Sequence, residues 1–540
     1  MKHIKYFVIA LGLAAVVGSG CSGDLLNVES KTAATSDYLY STSEGLQKAV
    51  VGLYDIEREL VVGDNSPVGI PILLDASTDL VLYRGGTTAS LFRLDNNTSS
   101  TGYFKTYWTA FYTIIGKSNE IIEGAKKLGL EDPDVARVYG EASLLRARAY
   151  FLLYQRFERL YINTEPTTVD NAFGRTFRAA GRSEIFDLIK QDLAVAIDNL
   201  PWTPVNGTSG TPEYGRMTRA IAKHVRAQVA MWEEDWSEAI TQCESIFTEG
   251  GDYYKLLKRA IDAFTGAELT NSEILYAFQF SANPGGGGSV SGGVVTGHRL
   301  SLNTTPNYNK ISGMKWSVEN GGYGWGRVYP NSYLLGLYDQ EKDKRYTELF
   351  RHHYYYNDAD NLPKGKALGD EVSVTASQYL EQAHPMSMKY FDQWTNADEP
   401  SRTSSFKDIV VYRLAETYLM AAEAYFHRDG GGSAKALEYF NATYVRAGNT
   451  AETSLTLDKI LDEYARELYF EGVRWNLLKR LGLLGERVRL HSGDTKTEDP
   501  RLNQNYTQAR TNFSDARDYR WPIPQDELDL MPGFGQNQGW

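Results

Sequence analysis

Apolar residues recur along this chain at the spacing of helix faces. Trp108, Phe111, Tyr112, Ile115 and Ile122 fall at offsets 0, 3, 4, 7 and 14, and Leu145, Ala149, Leu152 and Leu153 at 0, 4, 7 and 8. A period of about 3.6 residues gathers such positions on one stripe, so each run predicts an amphipathic helix. Ile185, Leu188, Ile189, Leu193 and Ala196 repeat the pattern, with Ser183 placed to cap its start and Pro201 just past its end. Ile221, Val225, Val229 and Trp232 draw another face. Leu414, Tyr418, Ala421, Ala422 and Tyr425 draw a later one, followed by Leu461, Tyr464, Ala465 and Leu468. A mostly α fold is expected.

Two of these stretches carry the spacing of tetratricopeptide-like helical hairpins, in which small residues let paired helices approach closely. Ala227, Ala230, Ala239 and Cys243 match it, with Cys243 in the position that such repeats give to Phe. Ala422, Tyr425, Ala436 and Phe440 match it with two extra residues, absorbed by Gly430, Gly431 and Gly432. Between the helical parts, from about 283 to 370, the period fades and Gly, Asn, Tyr and Trp dominate. The run NPGGGGSVSGG at 283–293 reads as a flexible loop, and 275–281 (LYAFQFS) and 351–357 (RHHYYYN) read as short strands. A loop-rich insert on a rigid frame is where binding function concentrates.

Composition narrows the classes. The chain has 540 residues, 42% apolar and 23% charged, which excludes disorder for most of it. A net charge of -12 with no block of Lys and Arg excludes a nucleic-acid groove. The 36 Tyr and 10 Trp supply flat apolar faces with polar tips, suited to cores, interfaces and ligand platforms alike. Only Cys21 and Cys243 occur, so no disulfide framework exists, and Cys243 is expected to be buried as a small hydrophobe.

The first 20 residues, MKHIKYFVIALGLAAVVGSG, put Lys2 and Lys5 before a short apolar run and end in small residues at Cys21. That layout resembles a bacterial lipoprotein signal, with Cys21 acylated as the mature N-terminus. Gly18 stands where Leu is usual. Acyl chains would hold an otherwise soluble protein at a membrane surface.

Catalytic chemistry is mostly missing. GGVVTGH at 292–298 has the glycines of a phosphate loop but not its Lys and Ser/Thr, and GGYGWG at 321–326 does not lead from a strand into a helix. No cofactor is expected. His352 and His353 are adjacent, no two histidines stand at i, i+4, and no metal site is expected. A G-x-S-x-G elbow is absent. Carboxylate pairs for glycoside hydrolysis remain open, but Glu416, Glu423, Glu467 and Glu471 read as solvated faces or structural ion pairs.

Several long segments resemble the SusD/RagB family of Bacteroidetes outer-membrane lipoproteins: CSGDLLNVES from Cys21, YWTAFYTIIGKSNEII at 107–122 and EASLLRARAYFLLYQRF at 141–157. More specific are VYRLAETYLMAAEAYFHRDG at 411–430, ARELYFEGVRWNLLKRLG at 465–482 and RWPIPQDELDLMPGFGQNQGW at 520–540. Two positions depart from the family pattern, Tyr444 in place of Arg and Leu477 in place of Asp, and both read as structural. The resemblance implies a signal peptide at 1–20, a lipidated Cys21 with a tether to 45, an N-terminal part at 46–270 with helical hairpins, and a C-terminal part at 271–540 that includes the insert. It implies a non-catalytic, cell-surface lid on a SusC-like TonB-dependent transporter that captures glycans or, alternatively, peptides. A scaffold and a surface glycoside hydrolase are the competing classes.

Sugars present apolar C–H faces ringed by hydroxyls, so a site wants flat aromatics with a few Asn, Asp or Arg. The richest loop, 316–333, offers Trp316, Asn320, Tyr323, Trp325 and Arg327. A second, 79–97, offers Asp79, Tyr83, Arg84 and Asn96. Family sites are built from loops in broadly these regions, without a shared motif. Trp108 and Trp475 lie on periodic helices and are expected in the core, and Trp521 is expected to be structural.

Overall fold

The computed structural model describes residues 36–540 except 63–68, 87–88, 169–170, 172–176, 205–211, 284–285, 288–289, 292–293 and 396. Cys21 and the signal-like segment before it lie outside the described residues, as does part of the 283–293 run. The frame is helical: α1 Ser43–Glu59, α2 Gly102–Leu128, α3 Pro133–Phe157, α4 Arg182–Asn199, α5 Arg219–Glu233 and α6 Trp236–Glu249. After the insert come α7 Leu414–Asp429, α8 Ala434–Tyr444, α9 Leu457–Leu468 and α10 Arg474–Arg480. Helices adjacent in sequence pack as hairpins, α2 on α3, α3 on α4, α5 on α6 and α7 on α8, and α6 joins α7 across the insert.

Local chemistry sets the helix ends. Thr42, Asp132, Thr218, Asp235, Ser433 and Thr456 each accept a backbone N–H from the first turn that follows them. Ser183 does not cap α4. The N-cap position falls two residues earlier, at Gly181, whose N–H donates to the Glu184 carboxylate at 2.7 Å. Residues 36–45, expected as tether, are already helical, with a turn at Ser36–Ser41 before α1.

Both hairpin readings hold. Ala227, Ala230, Ala239 and Cys243 are fully buried where α5 meets α6, and Ala422, Tyr425, Ala436 and Phe440 are buried between α7 and α8. Gly431 sits against the Leu455 carbonyl so closely that a Cβ would strike it. Trp108, Trp475 and Trp521 are buried.

Among the described residues four short antiparallel pairs lie in or beside the insert, and the first of them ties it to the N-terminal part. β1 Val81–Tyr83 pairs with β3 Val328–Pro330, and β2 Ile274–Phe278 pairs with β4 Ile409–Arg413. Val290–Ser291 pairs with Val294–Val295, and Phe350–Arg351 with Met386–Ser387. The strand expected over 351–357 shrinks to that two-residue edge plus a bridge from Tyr355 to Glu371. Its side chains are anchored singly instead, as where a ring nitrogen of His352 contacts the Tyr346 carbonyl.

A buried ion network joins insert and helices. Arg345 binds Asp343, Glu463 and Glu467, while Arg413 binds Glu273, Glu467 and Glu471. Lys389, from the segment that follows the insert, donates to Glu471. Of the two readings for Glu416, Glu423, Glu467 and Glu471, solvated faces are overturned, because all four are buried among partners. Tyr444 is half-buried and Leu477 buried.

Candidate functional site

The β1–β3 ladder brings together the two loops singled out in sequence. Tyr83 faces Val328 across it, and the Arg84 N–H donates to the Arg327 carbonyl at 2.8 Å. Beyond this seam the backbone of 325–327 is pinned to the short helix Leu300–Thr304. The N–H groups of Trp325, Gly326 and Arg327 donate to the carbonyls of Leu302, Thr305 and Asn303. Gly324 lies so near the Thr305 and Pro306 carbonyls that any side chain there would clash. Gly326 adopts a φ of 57°, a conformation that favours glycine.

That rigid turn presents aromatic and cationic side chains. Trp316 is 36% exposed, and its ring lies 4.9 Å from that of Tyr323. Trp325 is half-buried, with the Arg327 guanidinium 4.0 Å and the Arg299 guanidinium 5.2 Å from its ring centre. Burial, with the repulsion of neighbouring arginines, draws both guanidinium groups below their usual pKa. Asn320 accepts a hydrogen bond from Arg351 at 3.0 Å. The guanidinium of Arg84 is occupied by the carbonyls of Gly326 (2.6 Å) and Trp325 (2.9 Å), so Arg84 braces the turn.

Two expected contacts need correction. Asp79 is 0% exposed and forms a two-pronged ion pair with Arg474, at 2.9 and 2.6 Å, so it has no surface to offer a ligand. Tyr83 is 7% exposed, its ring stacked 4.3 Å from Phe92. Asn96 is exposed, and its stretch is tied to the C-terminal segment, where the Leu94 carbonyl accepts from Arg517 and Ser99 bonds Gln525. Arg299, Arg351 and Glu381 also bear on this loop. Glu381 gathers Lys310 and Asn307 beside Arg84. No local motif marks them, because each reaches the turn from a separate segment. Among the described residues no group of His, Cys, Asp and Glu is arranged to hold a metal ion, and no helix is long and apolar enough to cross a membrane.

Comparison with known proteins decides the family. Residues 281–540 match the model of the SusD family, and residues 24–212 match a SusD-like model described as "Starch-binding associating with outer membrane". The chain belongs to the SusD/RagB family. A SusD-like protein of Formosa agariphila is 21% identical over 539 residues, covering 94% of each chain. Among solved SusD-like structures, a "Laminarin binding SusD-like protein" superposes with a TM-score of 0.70 at 22% identity, over 92% of this chain and 99% of that one. "Surface glycan-binding protein A from Bacteroides fluxus" does so at 0.69 and 20%, over 93% and 100%. The shared SusD fold is thus the whole helical frame with its insert.

Proposed function

We propose that this SusD-family protein is a non-catalytic glycan-binding protein. It captures oligosaccharide or polysaccharide on the ledge formed by Trp316, Tyr323 and Trp325, with Asn320 and Arg327 orienting hydroxyls. The observation that carries this reading is the pinned turn itself. The Trp325 ring flanked by two guanidinium groups on a backbone that cannot sag, with the Trp316–Tyr323 ring pair on the same loop, suits the C–H faces and hydroxyls of a sugar. The names of the laminarin-binding and surface glycan-binding relatives support the same class of ligand. Acylated at Cys21, the protein sits at the outer-membrane surface and delivers glycan, as a lid, to a SusC-like TonB-dependent transporter.

Electrophoresis of the mature protein through gels containing laminarin, starch or other neutral polysaccharides tests this. At least one polymer should retard the wild type, and the Trp316→Ala, Trp325→Ala double variant should run freely while melting at the same temperature. Equal retardation of both proteins would remove the ledge from the site.

A further inference from the structure

Away from the ledge, a crevice of about 140 Å³ opens where α3, α5, α7 and α10 converge. One water needs about 10–15 Å³ of such space, so there is room for a molecule of several heavy atoms. Half-buried Leu152, Trp232 and Val473 line it toward solvent. Polar side chains line it as well, and the fold leaves some of them unsatisfied.

Arg156, 4% exposed, lies with its guanidinium 4.0 Å from the ring centre of Trp475. It bonds the Tyr107 hydroxyl and lies in the field of the buried Asp75 carboxyl, but it makes no close ion pair among the described residues. Arg480 gives Nη2 to both oxygens of Glu423, at 2.8 and 2.9 Å, while its buried Nη1 has no partner. Gln155 Oε1 and Asn476 Oδ1 are also buried without partners. All four residues line this crevice. Its other charges are matched within the fold: Arg148 by Glu57, Glu471 by Arg413 and Lys389, and Glu416 by His224 and Gln228. What is left over on this lining is the unpartnered Nη1 of Arg480, the Arg156 guanidinium without a close ion pair, and two amide oxygens.

A guanidinium edge fits the oxygens of a carboxylate, whereas an amide oxygen accepts from a hydroxyl or ammonium group. We propose that this crevice is a second ligand site, for a small carboxylate that also bears a hydroxyl or amino group. Its carboxylate meets Arg156 and Arg480, and its donor meets Gln155 and Asn476. The site shares no residue with the aromatic ledge and does not depend on the glycan reading.

Calorimetric titration of the mature protein tests it, with L-lactate, L-serine and D-glucuronate as probes and acetate and glycerol as controls. At least one probe should bind and raise the melting temperature, lactate and serine separating hydroxyl from amino recognition. Acetate, without the donor, should bind about tenfold more weakly, and glycerol should give no heat. Asn476→Ala and Gln155→Leu should each weaken the bound probe about tenfold while leaving polysaccharide retardation unchanged. The Asn476 side-chain oxygen makes no hydrogen bond within the fold, so Asn476→Ala is expected to fold normally. Absence of heat and of stabilisation with all three probes would mean that the crevice holds only water, and overturns the proposal. Undiminished binding in both variants, or acetate binding as tightly as the best probe, overturns it too.

Discussion

The guanidinium of Arg327 stacks 4.0 Å from the ring centre of Trp325, within a turn whose carbonyls are clamped by Arg84. Two arginines thus do different work at one aromatic ring. Arg327 fixes the ring itself, and Arg84 fixes the backbone that carries it.

These roles separate under mutation. A cation–π contact at a partly exposed site is worth about 0.5–1 kcal/mol. Arg327→Met should therefore weaken binding of the retained polysaccharide about two- to fivefold, with the melting temperature unchanged. Arg84→Met, which releases the Gly326 and Trp325 carbonyls, should lower affinity and melting temperature together. Calorimetry and thermal melting on the two variants check the contrast.

Asp79 and Arg474 form a pair with no exposed surface, so removing one partner strands a buried charge. Asp79→Ala should cost about 3–5 kcal/mol in denaturant unfolding, while the protein that remains folded binds polysaccharide as before. A stable variant that has lost binding would reinstate Asp79 as a ligand contact.

His298 precedes Arg299 and is buried, its Nε2 2.7 Å from the Lys407 carbonyl while Nδ1 accepts from the Leu300 N–H at 3.3 Å. The Nδ1 contact requires the neutral ring, and burial outweighs the Lys407 contact to lower its pKa from 6.5 to about 4. The unfolded chain binds this proton near pH 6.5 and the native protein only near pH 4, so the stability it contributes is complete above 6.5 and is lost as pH falls to 4. The loss amounts to roughly 3 kcal/mol. The difference in unfolding free energy between wild type and His298→Gln, followed from pH 7.5 to 4, should shrink by about that amount. A difference that does not change with pH would refute it.

Cys243 is packed among α5, α6 and α7, and burial pushes its thiol pKa far up. A thiol reagent should leave the native protein unlabelled and modify it completely in denaturant. Cys243→Ser, which buries a hydroxyl in that apolar setting, should cost about 1–3 kcal/mol by chemical unfolding.

The helices and their hairpins were legible because burial on a helix repeats locally. The run from Trp108 to Ile122, and the alanines at 227, 230 and 239, state their own packing. The two loops were legible as places but not as contacts. Asp79 and Asn320 are equally polar in sequence. One is buried by Arg474, 395 residues away, and the other is held at the surface by Arg351. Such pairings leave no periodic trace. The RHHYYYN run misled because its aromatics are anchored one at a time, as Tyr354 is against Tyr308, and not by a strand ladder.

The β1–β3 seam stitches residue 83 to residue 328, across nearly half the polypeptide. A half-built copy has no such seam, and so cannot hold out the proposed ledge. On the proposed reading, readiness to catch glycan is therefore a certificate of finished folding, issued only after two distant stretches of the molecule have met.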